Sequence, residues 1–157
     1  MITANVKIKM DRKQVLEAVK QASVEPIVKC GGIVERKMKQ LLNKGGYIGK
    51  TSGGKNKYKA SDPPKPPALR EGNLRGSVSA AKTQRGTVIV GPGRAAWYGM
   101  IHDKGGEYGG RHYPARPFAF PSLDQSKDAF PAQFRNLKLA QTPAGRALNS
   151  KKGRAGK

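Results

Sequence analysis

Residues 44–55, KGGYIGKTSGGK, set a Gly-Lys-Thr triplet among glycines, the residue types from which a phosphate-cradling loop is made. In that loop another glycine lies five positions ahead of the triplet's own, so that successive backbone N–H groups curl round the phosphates and the lysine reaches the outer ones. Five positions before Gly49 stands Lys44, and the preceding VERKMKQLLNK has the spacing of an amphipathic helix, not of a buried strand. Spacing and context both fail, which leaves a basic glycine-rich loop. His102-Asp103 is the second pair with chemical potential, because a carboxylate can orient an imidazole that then acts as a base. No nucleophile elbow accompanies it, and neighbours in a strand would point to opposite faces. His102, Asp103 and His112, with a glycine loop between them, match no zinc-ligand spacing. The sequence therefore predicts no catalytic, cofactor or metal site, and both histidines read as turn or subunit-contact residues. Cys30, the single cysteine, excludes an intrachain disulfide. Lying among Ile27, Val28, Ile33 and Val34, it reads as a small buried hydrophobe.

Charge is the strongest compositional signal. Against 10 Asp+Glu the chain carries 31 Lys+Arg, a formal net charge of +21, enough self-repulsion to imply a polyanion or an acidic neighbour in the working state. The usual readers of nucleic-acid sequence are missing: no helix-turn-helix pattern, no zinc-finger spacing, no basic-aromatic RNA-binding strand. Lys44, Lys50, Lys55, Lys57 and Lys59 in the basic loop, with Arg146, Lys151, Lys152, Arg154 and Lys157 in the tail, could touch phosphates or acidic surfaces without reading sequence. A nonspecific nucleic-acid-binding protein of nucleoid or ribosome type is accordingly the alternative reading. No apolar run approaches the roughly 20 residues that span a bilayer. MITANVKIKM also lacks the apolar core of a secretion signal, so a soluble protein made in a reducing cytoplasm is expected.

The elements that must position these residues follow from periodicity. Residues 5–10 alternate as a half-buried strand, and Asp11 then caps a helix with Val15, Leu16, Val19 and Ala22 on one side. Pro26 suits the first turn of a second helical piece, along which Ile27, Cys30, Val34, Met38 and Leu41 continue the stripe; Gly31-Gly32 predicts a kink. Residues 44–67, ending in DPPKPP, are too polar to bury much and read as a mobile basic loop and a stiff arm. Residues 73–82 and 86–91 predict two antiparallel strands, 95–103 a short helix or third strand, and 105–110 a glycine-rich loop. The segment YPARPFAFP is expected to be extended and pinned by its rings, before a last helix capped by Ser122 and kinked at Pro131. The fold class is α+β: a small antiparallel sheet packed on a long N-terminal helix and a C-terminal helix. One domain is expected over 1–142, with a disordered basic tail at 143–157.

The order PPALREGNLRGSV, VIVGP, WYGMIHDKGG, PARPFAFPSLD resembles the tail-completion and head-to-tail joining ("neck") proteins of long-tailed double-stranded DNA bacteriophages. The matching segments are residues 70–78, 98–105 and 116–122, and with the strand-helix opening the resemblance covers residues 1 to 140. Asp103-Lys104 departs from the family's more usual acidic or aromatic residue and Gly-Thr turn, and Ser122 replaces an alanine. The resemblance implies a virion protein without catalysis, made in the host bacterium. It implies a subunit that closes into a sixfold ring between the portal complex and the tail tube, beside the DNA passage. Neighbouring connector and tail proteins would be its partners. On that reading the stiff arm (Pro63, Pro64, Pro66, Pro67) and Tyr98, His102, Tyr113, Arg116, Phe118 and Phe120 are the expected contacts with subunits or partners. Phe118 and Phe120 suit the monomer's core equally well, and Trp97 is expected there.

Overall fold

The computed structural model describes residues 11–137 together with 139, 142–144 and 146. The strand expected at residues 5–10 lies outside the described residues, as does most of the tail. The chain forms two compact units, one drawn from Met1–Pro26 with Phe134–Lys157 and the other from Ile27–Gln133. The division falls inside the first helix, where the sequence suggests one domain over 1–142.

That helix, α1, runs Arg12–Leu41. It starts as its cap predicts, with the Gln14 N–H donating to Asp11 Oδ1 at 3.2 Å. Pro26 does not open a second helix: it sits inside α1, which continues through it without the N–H that would have met the carbonyl one turn back. Among the described residues of the first unit Ala18 and Pro26 are buried, while Leu16 and Val19 of the expected stripe are 56% and 37% exposed. There Gln21 Oε1 accepts the Ala144 N–H at 3.3 Å. Pro143, Ala144 and Arg146 are helical, so the described part of the tail has local structure.

In the second unit α1 presents Val34 and Met38, followed by Leu42, to a core completed by Val78 and Phe118 and flanked by Leu74, Val90, Ala119 and Phe130. α1 runs unbroken through Gly31-Gly32. A Cβ on residue 31 would lie 2.4 Å from Val88 Cγ1, so the glycine is what lets a strand lie against α1. Glu35 ties the same two elements together, accepting from Lys39 Nζ at 2.6 Å and from the Ala80 N–H at 3.0 Å. The lysine bond holds its carboxyl below the ordinary carboxylate value against the upward push of burial, with lesser help from the backbone bond and the charge of Lys39. Cys30 is partly buried, and burial raises its thiol pKa.

The strands form three separate antiparallel pairs: β1 (Tyr47–Lys50) with β2 (Asn56–Tyr58), β3 (Val78–Lys82) with β4 (Val88–Pro92), and β5 (Gly106–Tyr108) with β6 (Arg111–Tyr113). The fold is thus α+β, and two of the hairpins arise where loops are expected. Residues 47–58 pair because Tyr47 and Tyr58 face each other across the strands, their rings edge to face at 6.1 Å. Gly109 and Gly110, with φ of 57° and 69°, make the two-residue turn that joins β5 to β6. The expected strand at 73–82 begins only at Val78, since NLRGS lacks alternation and forms a short helix, α2 (Asn73–Ser77). Between helix and strand for 95–103 the structure has a 3-10 turn and then α3 (Gly99–Lys104).

The last helix is in two pieces, α4 (Ala119–Asp124) and α5 (Phe130–Phe134), with a 3-10 turn between them. Ser122 is not a cap. It lies wholly buried inside α4, its hydroxyl donating to the Ala119 carbonyl at 2.6 Å. Pro131 falls in the first turn of α5, where a missing N–H costs nothing.

Candidate functional site

A cleft of about 670 Å³ opens in the second unit between the residues that leave β2 and those around α2. The chain is brought there by backbone pairing: the Gly46 N–H donates to the Leu69 carbonyl at 3.0 Å, and the Lys59 N–H to the Gly46 carbonyl at 2.7 Å. A Cβ on residue 46 would lie 2.5 Å from the Lys59 oxygen, so only glycine lets these three segments approach. Leu42, 2% exposed, lines the cleft with Leu69 and Leu74. Tyr98 and His102, one helical turn apart, also line it, the His102 N–H donating to the Tyr98 carbonyl at 3.1 Å. Arg116 joins them because its N–H donates to the His102 carbonyl at 2.7 Å, while its Nε donates to the Ser61 carbonyl at 3.0 Å.

The electrostatics are one-sided. Lys57, Lys59, Arg70, Arg75 and Arg116 line the cleft with one carboxylate, Glu71. Glu71 is already neighboured by Arg70 at 3.9 Å and accepts from Asn73 Nδ2 at 3.4 Å. The Arg70 guanidinium also lies 5.6 Å from the centre of the Tyr58 ring, a cation–π distance. His102 stands edge to face with Tyr98 at 6.0 Å and Tyr113 at 6.3 Å. Burial, and secondarily the charge of Arg116, push its pKa below 6.5, so the ring is neutral at pH 7. Its buried Nδ1 meets no hydrogen-bond partner among the described residues.

Asp103 does not serve His102. Its Oδ1 accepts the N–H groups of Phe118 and Ala119, at 2.7 and 2.9 Å, and so caps α4 from a distant part of the chain. The pair is on a helix, not a strand, and the carboxylate's geometry is that of a structural cap. Among the described residues no group of three or more His, Cys, Asp and Glu side chains is placed to hold a metal ion.

Of the expected contact residues, Pro67, Tyr98, His102 and Arg116 meet at the cleft, together with Lys57 and Lys59 of the basic set. Pro63 and Pro64 are exposed and Pro66 half-buried in the turn before it; Tyr113 lies behind His102. Phe118 is corrected outright: at 1% exposure it is core and offers no side chain to a partner. Phe120 is 72% exposed. Trp97, expected in the core, is 52% exposed, its ring 4.8 Å from that of Tyr108. Lys44, Lys50 and Lys55 are exposed and do not line the cleft, Arg146 is exposed in the first unit, and Lys151, Lys152, Arg154 and Lys157 lie outside the described residues. Tyr58, Arg70 and Arg75 are cleft residues that reading the sequence missed. The repeated Leu-Arg of ALREGNLR was the only signal for the two arginines, and Tyr58 had none.

Comparison of the chain with protein-family models, with curated proteins and with solved structures returned no match. No helix among the described residues is long and apolar enough to cross a membrane.

Proposed function

We propose that this chain is a structural subunit of a tailed-phage virion, closing with copies of itself into a ring at the head-to-tail junction, beside the DNA passage. One observation carries the reading: Arg70, Tyr98 and Arg116, one from each of the three segments that resemble neck proteins, line a single cleft. Motifs far apart in sequence thus mark one surface. The form of the body agrees with a subunit completed by neighbours. Among the described residues the six strands lie in two-stranded pairs, an arrangement that leaves strand edges for a neighbour to meet. Ile89, Met100 and Phe120 are 64%, 64% and 72% exposed, apolar area that a ring interface would remove from water. The excess of cations suits a passage for DNA or acidic faces of adjoining rings.

Sedimentation and negative-stain imaging of the purified protein, alone and with its coaxial neighbours, test this. Closed rings of a fixed copy number are expected. A protein that stays monomeric with those neighbours, yet holds duplex DNA and releases it steeply with salt, would be a nonspecific nucleic-acid binder instead.

A further inference from the structure

We propose that the cleft beside the β1–β2 hairpin is a docking groove for an acidic, extended segment of a different protein chain. The inference goes beyond ring formation and does not depend on it. Its first support is charge. Three separate stretches of chain deliver five cations to the cleft, whose one carboxylate already has Arg70 and Asn73 beside it. An incoming carboxylate therefore meets uncompensated positive charge, and an incoming cation does not.

The second support is shape and chemistry together. Leu42, Leu69, Leu74, Tyr58 and Tyr98 give the same cleft an apolar and aromatic lining, into which a peptide side chain can anchor. Its volume of about 670 Å³ is that of a site for a few residues of chain. Among the described residues β2 pairs with β1 alone, and residues 56–61 line the cleft, so a strand edge is at hand for an extended partner. A duplex is too wide to enter a space of this size, and the apolar lining and Glu71 suit a polypeptide better than a phosphate chain.

The occupant is a different protein because this chain has no segment to offer. Its 10 acids are so scattered that no four consecutive residues hold two of them. Glu35, Asp103 and Asp124 are moreover engaged by Lys39 and Ala80, by Phe118 and Ala119, and by Lys127.

The test uses the full chain and a short fluorescein-labelled peptide rich in Asp and Glu, with one Tyr and one Leu. Its Asn/Gln counterpart and a single-stranded oligonucleotide of similar length serve as comparisons, all read by fluorescence anisotropy at physiological salt. The acidic peptide should bind and its neutral counterpart should not. The double variant Lys57→Glu, Arg75→Glu should weaken binding by about tenfold or more. Lys82→Glu with Arg94→Glu, the same charge change at exposed positions outside the cleft, should weaken it by less than about threefold. In the unmodified protein, hydrogen exchange across residues 56–61 should slow when the peptide binds, a reading that needs no variant. Absence of binding, equal loss in both double variants, or unchanged exchange at 56–61 would overturn the groove. So would an oligonucleotide that binds more tightly than the peptide and depends on the same two cations. Ring closure is scored separately by sedimentation, so either idea can fail alone.

Discussion

Asp103 shows how far a residue's role depends on what the fold brings to it. Beside His102 in the sequence it has the look of a catalytic carboxylate, yet its oxygen is spent on two backbone N–H groups 15 and 16 residues away. No local pattern announces that bond, because its partners are fixed only once Arg116 has paired with the His102 carbonyl. Asp103→Ala should cost about 1–2 kcal/mol in urea unfolding, and Asp103→Asn, which keeps an acceptor, clearly less. His102 gives a prediction with a definite sign. Its folded pKa lies below 6.5, so the unfolded chain takes up the proton first. The stability it contributes is full above 6.5 and falls as pH drops below that value toward the folded pKa. Urea midpoints should therefore decline from neutral to mildly acid pH, and His102→Gln should flatten that decline. The two phenylalanines of PARPFAFP separate core from contact. Phe118→Ala, at 1% exposure, should cost about 3–5 kcal/mol, whereas Phe120→Ala, at 72%, should change stability by under about 0.5 kcal/mol and weaken self-association.

At the scale of elements, the sequence is most legible where one periodicity runs long enough to dominate. Asp11 and the 3.6-residue spacing predict α1, and Val88–Pro92 follows its alternation. Legibility fails where short strands depend on pairing. β1 and β2 have 4 and 3 residues of polar composition, and only Tyr47 against Tyr58 and the backbone around Gly46 give them a reason to form. Pro26 and Gly31-Gly32 both lie inside an unbroken α1, because helix propensity is a weak prior within a long helix. The two adjacent glycines make this measurable. Gly32→Ala, with nothing within 4 Å of its new Cβ, should stabilise by about 0.5–1 kcal/mol. Gly31→Ala, 2.4 Å from Val88 Cγ1, should destabilise by about 1–3 kcal/mol as the strand is pushed off the helix, with thermal midpoints moving in opposite directions.

For the whole molecule, the α+β class was legible from the alternation of long and short periods, but the cleft was not. Its lining comes from residues 42 to 116, and nothing in sequence spacing says that Lys57, Arg75 and Arg116 meet. What the sequence does hold is the imbalance those residues express, a net charge of +21 on a chain whose described strands lie in two-stranded pairs. On the proposed function such a chain is completed by something else, copies of itself on its apolar side chains and acidic surfaces on its cations. The most direct measurement is electron microscopy of assembled virions carrying a tagged copy of this chain. A ring of tags at the junction of head and tail is the predicted result. Tags dispersed over the capsid, buried with the packaged genome, or present as one copy per particle would contradict it.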